Sequence, residues 1–219
     1  MHLGLIGGIG PAATAYYYRG LVRHGGDIAL TISHAQIARL LDNQKSGDVQ
    51  AQAEIFASHV ASLKAAGAQI AAVTSIAGHF CHDALEPLSP LPLLSILDVL
   101  NTHFAAEGVT RIGMIGSTVG METRLFGAIT QTEVLVPSPE DLPNVGAAYG
   151  ALAERGSATP EEAEICLSAG RKLMELGADA VLLGGTDLFL VYEGTDPGYP
   201  VIDAAALHIA ALDRIARQA

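Results

Sequence analysis

The chain has 219 residues, 50% of them hydrophobic, which is enough for one large domain or two small ones with a proper core. Its 12 Lys and Arg against 23 Asp and Glu leave a formal charge of −11, and no basic stripe is found, so nucleic acid and anionic membranes are not expected partners. No apolar run reaches the roughly 18 residues of a membrane span, and no basic signal-peptide start precedes the first apolar run, so we expect a cytoplasmic protein. Cys81 and Cys166 match neither a disulfide framework nor a zinc or redox motif, and we expect two free thiols.

Short apolar runs bounded by glycine or proline alternate with stretches of helical period. This pattern predicts βα units and an α/β fold with mostly parallel sheets. The predicted strands are, in chain order, Leu3–Ile6, Ile28–Ser33, Ile70–Thr74, Leu93–Ile96, Ile112–Ile115, Val134–Val136, Ala180–Leu183 and Val201–Ile202. Helices are predicted between them, for example at Val49–Ala66, Pro160–Leu176 and Ala204–Arg217.

The chain also repeats itself. GLIGG from Gly4 resembles GMIGS from Gly113, AAGAQIAAVTS ending at Ser75 resembles ELGADAVLLGG ending at Gly185, and PLLSILD from Pro92 resembles PVIDAAA from Pro200. The three pairs follow the same order at nearly one offset, which predicts two similar α/β lobes. We assign residues 1–101 and 200–219 to an N-terminal lobe and residues 102–199 to a C-terminal lobe.

Loops after parallel strands gather at the carboxyl edge of each sheet, so two facing lobes are expected to enclose a cleft. In such a cleft Ser75 and Gly185 become counterparts across a pseudo-twofold axis. This symmetry suits chemistry on both faces of one carbon, with one acid/base group on each side.

Five motifs carry a resemblance to a known family: LIGGIGPAAT (5–14), TSIAGH (74–79), IGSTVGME (115–122), LLGGTD (182–187) and PVIDAAALH (200–208). In this order and over nearly the whole chain, they resemble the aspartate/glutamate racemase superfamily. The resemblance implies a pseudo-symmetric fold of two lobes, each a mostly parallel sheet flanked by helices. It also implies a homodimer and racemisation with no cofactor, in which two cysteines across the cleft exchange the Cα proton, one as thiolate base and one as thiol acid.

The resemblance breaks at both cysteine positions, where this chain has Ser75 and Gly185. The polar Asn and Thr that hold the amino acid in the family fall on Ile76 and Ala77. We therefore expect a roomier and less polar pocket, and a bulkier or more apolar carboxylate, than aspartate or glutamate. The family's basic residues for substrate carboxylates have no clear counterpart, and possible substitutes are Arg39, Lys45 and Arg124.

Three side chains are candidates for acid/base catalysis without thiols: Ser75, His79 and Asp187. A serine hydroxyl is a weak acid, but a helical turn after the strand would bring His79 within reach as its base. Alternatively, His79 orients the loop by hydrogen bonding, and Asp187 caps the helix that follows it. His34, at the end of the second strand, is a further candidate, while Glu122 is expected in the first turn of a helix.

The substrate-binding candidates lie in loops at the predicted strand ends: Gly8, Gly10, Ile76, Ala77, Ser117, Thr118, Gly185 and Thr186. GGIGPAA (7–13) loosely matches a dinucleotide fingerprint, but the next strand ends in Ser33-His34 and not in the acidic residue that would bind a ribose. We therefore expect this loop to present amides to a carboxylate and not to bind NAD. HFCHD (79–83) has no second ligand pair elsewhere, so no metal is expected.

Three functions follow from these observations. The chain is a cofactor-independent amino-acid racemase or epimerase with a non-cysteine site, or an enzyme with altered chemistry on a related carboxylate, such as a decarboxylase, or a catalytically silent binder of a small carboxylate. Isomerase chemistry is the leading interpretation, because the overall resemblance supports it.

Overall fold

The computed structural model describes residues 1–23 and 28–218, and the chain divides into two compact units. Unit 1 comprises residues 1–96 and 208–219, and unit 2 comprises residues 97–207. No helix within the described ranges combines the length and the apolar character that a membrane crossing requires.

Unit 1 is built on a three-stranded parallel sheet in the order β2–β1–β3. Leu3–Gly7 in the central strand is wholly buried, as expected for a parallel strand covered on both faces. The elements up to the unit boundary are β1 (Leu3–Gly7), α1 (Pro11–Val22), β2 (Leu30–His34), α2 (Ile37–Ser46), α3 (Val49–Ala65), β3 (Ile70–Val73), α4 (His82–Leu85) and α5 (Ile96–Glu107).

Unit 2 has a four-stranded parallel sheet in the order β5–β4–β6–β7. Its helix α8 begins with a capping box, in which Thr159 and Glu162 satisfy each other's backbone amides, and with Pro160 in the first turn. The remaining elements are β4 (Arg111–Gly116), α6 (Thr118–Glu122), β5 (Glu133–Leu135), α7 (Leu142–Arg155), α8 (Pro160–Glu175), β6 (Ala180–Gly184), α9 (Phe189–Tyr192), β7 (Val201–Asp203) and α10 (Ala204–Arg217).

The predicted α/β fold with two parallel sheets flanked by helices is confirmed, and three strands of the unit 2 sheet, β5–β4–β6, repeat the order β2–β1–β3 of unit 1. One predicted strand and one lobe assignment differ from the structure. The segment at 93–96 is reduced to a single bridge between Leu93 and Ala71, because α5 begins at Ile96 and ends the pairing. The segment at 201–203 pairs with β6 and lies in unit 2; of residues 200–219, which the sequence analysis assigned to the N-terminal lobe, residues 208–219 belong to unit 1.

Candidate functional site

Each sheet ends in two loops that the parallel register places side by side. In unit 1, Ile6 pairs with Val73, so the glycine loop after β1 and the loop at 74–76 after β3 leave the sheet together. In unit 2, Gly116 pairs with Gly184, so the loops after β4 and β6 do the same. We call residues 74–76 the unit 1 loop and residues 185–188 the unit 2 loop.

The glycine loop of unit 1 is held by a threonine of the helix that follows it. Thr14 Oγ1 accepts a hydrogen bond from the Gly8 amide at 2.8 Å and donates one to the Gly10 carbonyl at 3.2 Å. Gly8 has φ +90°, and a Cβ there would lie 2.6 Å from His34 Nδ1, so only glycine fits. The Gly8 amide was predicted to bind a substrate carboxylate, but in the structure it donates its hydrogen bond to Thr14 instead.

Ser75 and His79 lie together in unit 1, but not as a hydroxyl and its base. His79 Nδ1 donates to the backbone carbonyl of Ser75 at 2.8 Å, while its Nε2 accepts the Ile96 amide at 3.3 Å. Both ring nitrogens are therefore engaged by the backbone. Ser75 is 4% exposed, and no hydrogen bond of its hydroxyl is found within residues 1–23 and 28–218.

His79 is held as a neutral ring. Burial above all, together with the nearby rings of His208 and His82, lowers its pKa to about 3, and only the hydrogen bond to the Ser75 carbonyl opposes them. A base that is neutral but has its lone pair occupied removes protons poorly. The geometry therefore favours His79 as the residue that orients the loop, which is the alternative raised from the sequence.

His208 is a second buried histidine of unit 1, at the end of the PVIDAAALH motif. Its Nδ1 accepts from the Tyr17 hydroxyl at 2.8 Å, and its Nε2 donates to the Leu94 carbonyl at 3.1 Å. Burial lowers its pKa to about 4. The ring thereby ties α10 to α1 and to the segment before α5, which explains a motif residue to which the sequence analysis gave no role.

Gly184 ends β6 and Gly185 begins the unit 2 loop, and other side chains occupy the space beside both glycines. A Cβ on Gly184 would lie 2.9 Å from Met114 Cγ. A Cβ on Gly185 would overlap the ring of Tyr149 and would lie 2.8 Å from its hydroxyl oxygen. Tyr149 of α7 thus covers the position at which the family resemblance implies a cysteine.

The phenol of Tyr149 has an unusual setting at the end of β6. Burial and the charge of Asp187 raise the pKa of the Tyr149 hydroxyl well above its usual range, although a hydrogen bond from the Asp187 backbone opposes this. Part of the side chain remains accessible to solvent, whereas the hydroxyl end is surrounded by protein. The phenol therefore stays protonated at neutral pH and can act only as a hydrogen-bond donor or acceptor.

Thr186 and Asp187 follow Gly185 and are each 2% exposed. The Thr186 hydroxyl is buried without any hydrogen-bond partner in the described part of the chain. The helix that follows, α9, begins at Phe189, so Leu188 and not Thr186 or Asp187 stands at its N-cap position. A buried hydroxyl without a partner costs roughly 1–3 kcal/mol, so such groups are candidates for ligand contacts.

The loop after β4 uses its polar groups internally. The Ser117 hydroxyl caps α6 by accepting the Gly120 amide at 3.1 Å. Thr118 packs its hydroxyl against Gly146 of α7, where no Cβ could fit. Glu122 is exposed at the last residue of α6, not in the first turn that the sequence analysis expected.

Both thiols are free and buried. Cys81 is 1% exposed and donates a weak hydrogen bond to the Gly78 carbonyl at 3.4 Å, while Cys166 lies wholly buried in α8. Burial raises the pKa of each thiol to about 12. A thiolate is therefore almost absent at neutral pH at both positions.

The basic candidates lie on the surface. Arg39 and Lys45 are exposed on α2. Arg124 donates from Nε to the Val134 carbonyl at 3.2 Å and begins a run of three non-glycine residues with φ of 48°, 56° and 62°. His34 is exposed at the end of β2 against Gly8, which makes it the accessible histidine at that sheet edge.

A cavity of about 420 Å³ lies elsewhere in unit 2, between α7 and α8. The ion pair of Lys172 with Asp141, at 2.7 Å, crosses its rim. It contains none of the predicted site residues, and we regard it as a surface groove. Within the described ranges, no group of three or more His, Cys, Asp and Glu side chains could hold a metal ion.

Sequence reasoning missed Tyr149, because α7 was not among the assigned helices and the contact spans 36 residues of chain. One signal was present. In GAAYG (146–150) a single aromatic residue stands among small ones, which indicates a helix face that lets one large side chain reach a neighbouring element.

Comparison with known proteins gives an independent view of the whole chain. The family model described as Asp/Glu/Hydantoin racemase matches residues 6–212. A proposed Asp/Glu racemase of Yersinia pestis is 28% identical, with a TM-score of 0.86 over 100% of both chains. An aspartate racemase homologue of Pyrococcus horikoshii is 22% identical, with a TM-score of 0.80 over 99% of both. Arylmalonate decarboxylase shares the fold at 16% identity and a TM-score of 0.56, over 99% of this chain and 92% of its own.

Proposed function

Because this chain belongs to the Asp/Glu/hydantoin racemase family, we propose that it is an isomerase that removes and returns the α proton of an amino acid or a related carboxylate without thiols. A racemase-type or related function follows from the family and from the fold. We infer in addition that no thiol takes part in the reaction and that the reaction needs no cofactor.

The state of the two cysteines is the observation that carries this proposal. Cys81 and Cys166 are buried, their pKa is raised to about 12, and neither lies in the unit 1 loop or the unit 2 loop. These observations support a mechanism without two facing thiols. Hydroxyl groups stand at the strand ends instead, on Ser75 and on Thr186.

Under this proposal Ser75 contacts the substrate and either relays or donates a proton, while His79 fixes the loop that carries it. Ile76 beside it is buried and apolar, which favours a substrate with an apolar group next to the carboxylate. Asp187 remains a candidate acid/base group of unit 2. That the two loops act on one substrate stays a prediction, as do a homodimer and a cytoplasmic location.

Proton NMR in D₂O tests the proposal. We expect loss of the Cα proton signal from at least one member of a panel of L- and D-amino acids and 2-substituted carboxylates. Ser75→Ala should slow this exchange by about 10²-fold or more, because positioned proton transfer contributes that much. Ser58→Ala, an exposed serine of α3, is the matched control and should leave the rate unchanged.

A decarboxylase is the second candidate, because the two loops are unequal. Loss of CO₂ from a malonate leaves a carbanion that needs one proton, delivered from one side. At the two equivalent loop positions, unit 1 has the hydroxyl of Ser75, whereas unit 2 has Gly185 and no side chain. Fold likeness to arylmalonate decarboxylase is compatible with this alternative. Phenylmalonate therefore belongs in the panel, with release of CO₂ as its signal. Neither exchange nor CO₂ release from any compound, with binding still detected, would favour a silent binder.

A further inference from the structure

Two hydroxyl groups lie at the end of β6: the phenol of Tyr149 from α7, to which the proposed function gives no role, and the hydroxyl of Thr186, a predicted substrate-binding residue. Tyr149 lies over Gly185 in the space that a side chain at this position would fill, and Thr186 follows directly. Both groups belong to unit 2, so their arrangement depends on this unit alone.

We propose that Tyr149 replaces the missing side chain at Gly185 and that its phenol and the Thr186 hydroxyl together bind a carboxylate group of the substrate. The inference rests on the proposed function and deepens it, since it names the group that unit 2 offers to the substrate. Tyr149 is in this sense a binding residue and not a proton-removing base.

Packing supports the first part of the inference. Gly146, one turn before Tyr149 in α7, lies against Thr118 so closely that no Cβ fits there, and this close approach brings α7 across the ends of β4 and β6. The Tyr149 ring then reaches Gly185, where only glycine leaves room for it. Gly146 and Gly185 are thus the two small residues that allow one aromatic ring to cover the strand ends.

Hydrogen bonding supports the second part. The Asp187 backbone donates to the Tyr149 oxygen, and the protonated phenol adds a donor of its own at the end of β6. Thr186 Oγ1 is buried and has no partner among the residues that the structure describes. Two hydroxyl donors beside one glycine suit the two oxygens of a carboxylate, and a bond from a hydroxyl to a charged group is among the stronger kinds.

The first experiment tests where the ring lies, and it needs no substrate. Gly185→Ala should lower the Tm by roughly 3–10 °C, because the new Cβ overlaps the Tyr149 ring. The same substitution made in a Tyr149→Ala background should lower it by much less. An equal loss in both backgrounds would overturn the proposed replacement of a side chain by Tyr149.

The second experiment tests the carboxylate. Dissociation constants of phenylmalonate, malonate, and both enantiomers of aspartate and glutamate are measured by ligand-dependent shifts in Tm. Tyr149→Phe and Thr186→Val should each weaken the best probe by about 10–100-fold. Tyr199→Phe is the matched control, since it removes another phenol of unit 2 that hydrogen-bonds to the Leu167 carbonyl, and it should leave affinity unchanged.

The outcomes separate this inference from the proposed function. Binding that depends on Tyr149 and Thr186, without proton exchange or CO₂ release, supports the inference and removes the enzymatic proposal. Turnover that depends on Ser75 but survives Tyr149→Phe within twofold removes the inference and leaves the enzyme. Failure of every probe to bind the wild-type protein also overturns the inference.

Discussion

The unit 1 loop and the unit 2 loop follow the equivalent strands β3 and β6 of the orders β2–β1–β3 and β5–β4–β6, yet they are held in opposite ways. In unit 1 a histidine four residues downstream turns back and bonds to the backbone, which leaves the Ser75 side chain in place at the strand end. In unit 2 the loop has no side chain at the equivalent position, and Tyr149 from a distant helix covers it. The comparison indicates that two repeated units can keep the same backbone arrangement while different side chains occupy the space at the end of the equivalent strand in each unit.

Low pH should produce the largest difference between the two units, because it destabilises unit 1, which contains two buried neutral histidines. Burial lowers the pKa of His79 to about 3 and that of His208 to about 4, below their unfolded value of 6.5. The unfolded chain therefore binds more protons as pH falls below about 6.5, and the stability that is fully present above this value is lost at up to roughly 1.4 kcal/mol per pH unit for each histidine.

Urea unfolding at pH 8, 7, 6 and 5 measures this loss. A variant that carries His79→Gln and His208→Gln should show a flatter dependence. Hydrogen-exchange protection factors should fall first in unit 1, because residues 97–207 contain a single histidine, His103. Equal slopes for the variant and the wild type would contradict the assignment.

Removal of the His79 ring should have the next largest effect. His79→Ala leaves a cavity and two backbone groups, the Ser75 carbonyl and the Ile96 amide, without their partner. We expect a loss of about 3 kcal/mol in the free energy of unfolding, measured by urea denaturation. His82, which stacks on His79 at 5.6 Å and is only partly buried, provides the control. If His82→Ala lowers the free energy of unfolding by as much, the loss in His79→Ala does not come from the two hydrogen bonds of His79 to the backbone.

Cysteine substitutions at the two strand ends measure how much space each unit leaves for a side chain there. Ser75→Cys replaces one small side chain by another and should change stability by less than about 1 kcal/mol. Gly185→Cys must displace the Tyr149 ring and should cost about 1–3 kcal/mol. Thermal unfolding of the two variants measures the difference, and equal stability would mean that the ring moves aside freely.

Thr186→Val is expected to have the smallest effect on stability. The buried Thr186 hydroxyl has no partner in the described chain, so a methyl group of the same shape should be neutral or stabilise by up to about 1 kcal/mol. Urea unfolding checks this expectation. A clear destabilisation would show that the hydroxyl has a structural role in the folded protein.

Much of the fold was predictable from the sequence, because buried parallel strands are short apolar runs with distinctive ends. Ala180–Gly184 differs from its prediction by one residue, and the repeat of GLIGG and GMIGS marks the central strand of each sheet. The strand predicted at 93–96 is shorter, since apolar residues continue into α5 and hide the boundary between strand and helix.

The candidate site was predictable only in part. Local spacing placed His79 beside Ser75, but it could not show that the ring bonds to the carbonyl and not to the hydroxyl. Tyr149 contacts Gly185 across a long stretch of chain, and periodicity reports only on neighbours within one element. Contacts of this kind arise from the packing of α7 on the sheet, which no local pattern encodes.

The overlap between Gly185 and Tyr149 also constrains the order in which substitutions could have accumulated. A cysteine at position 185 and the Tyr149 ring in its present place would occupy the same space, so having both requires the ring to shift, and a path through a smaller residue at one position avoids that cost. The two sites are therefore epistatic: the same mutation at 185 is neutral or harmful according to what stands at 149. Among related sequences, we expect the large aromatic residue to occur together with the glycine and to be absent where a side chain is present.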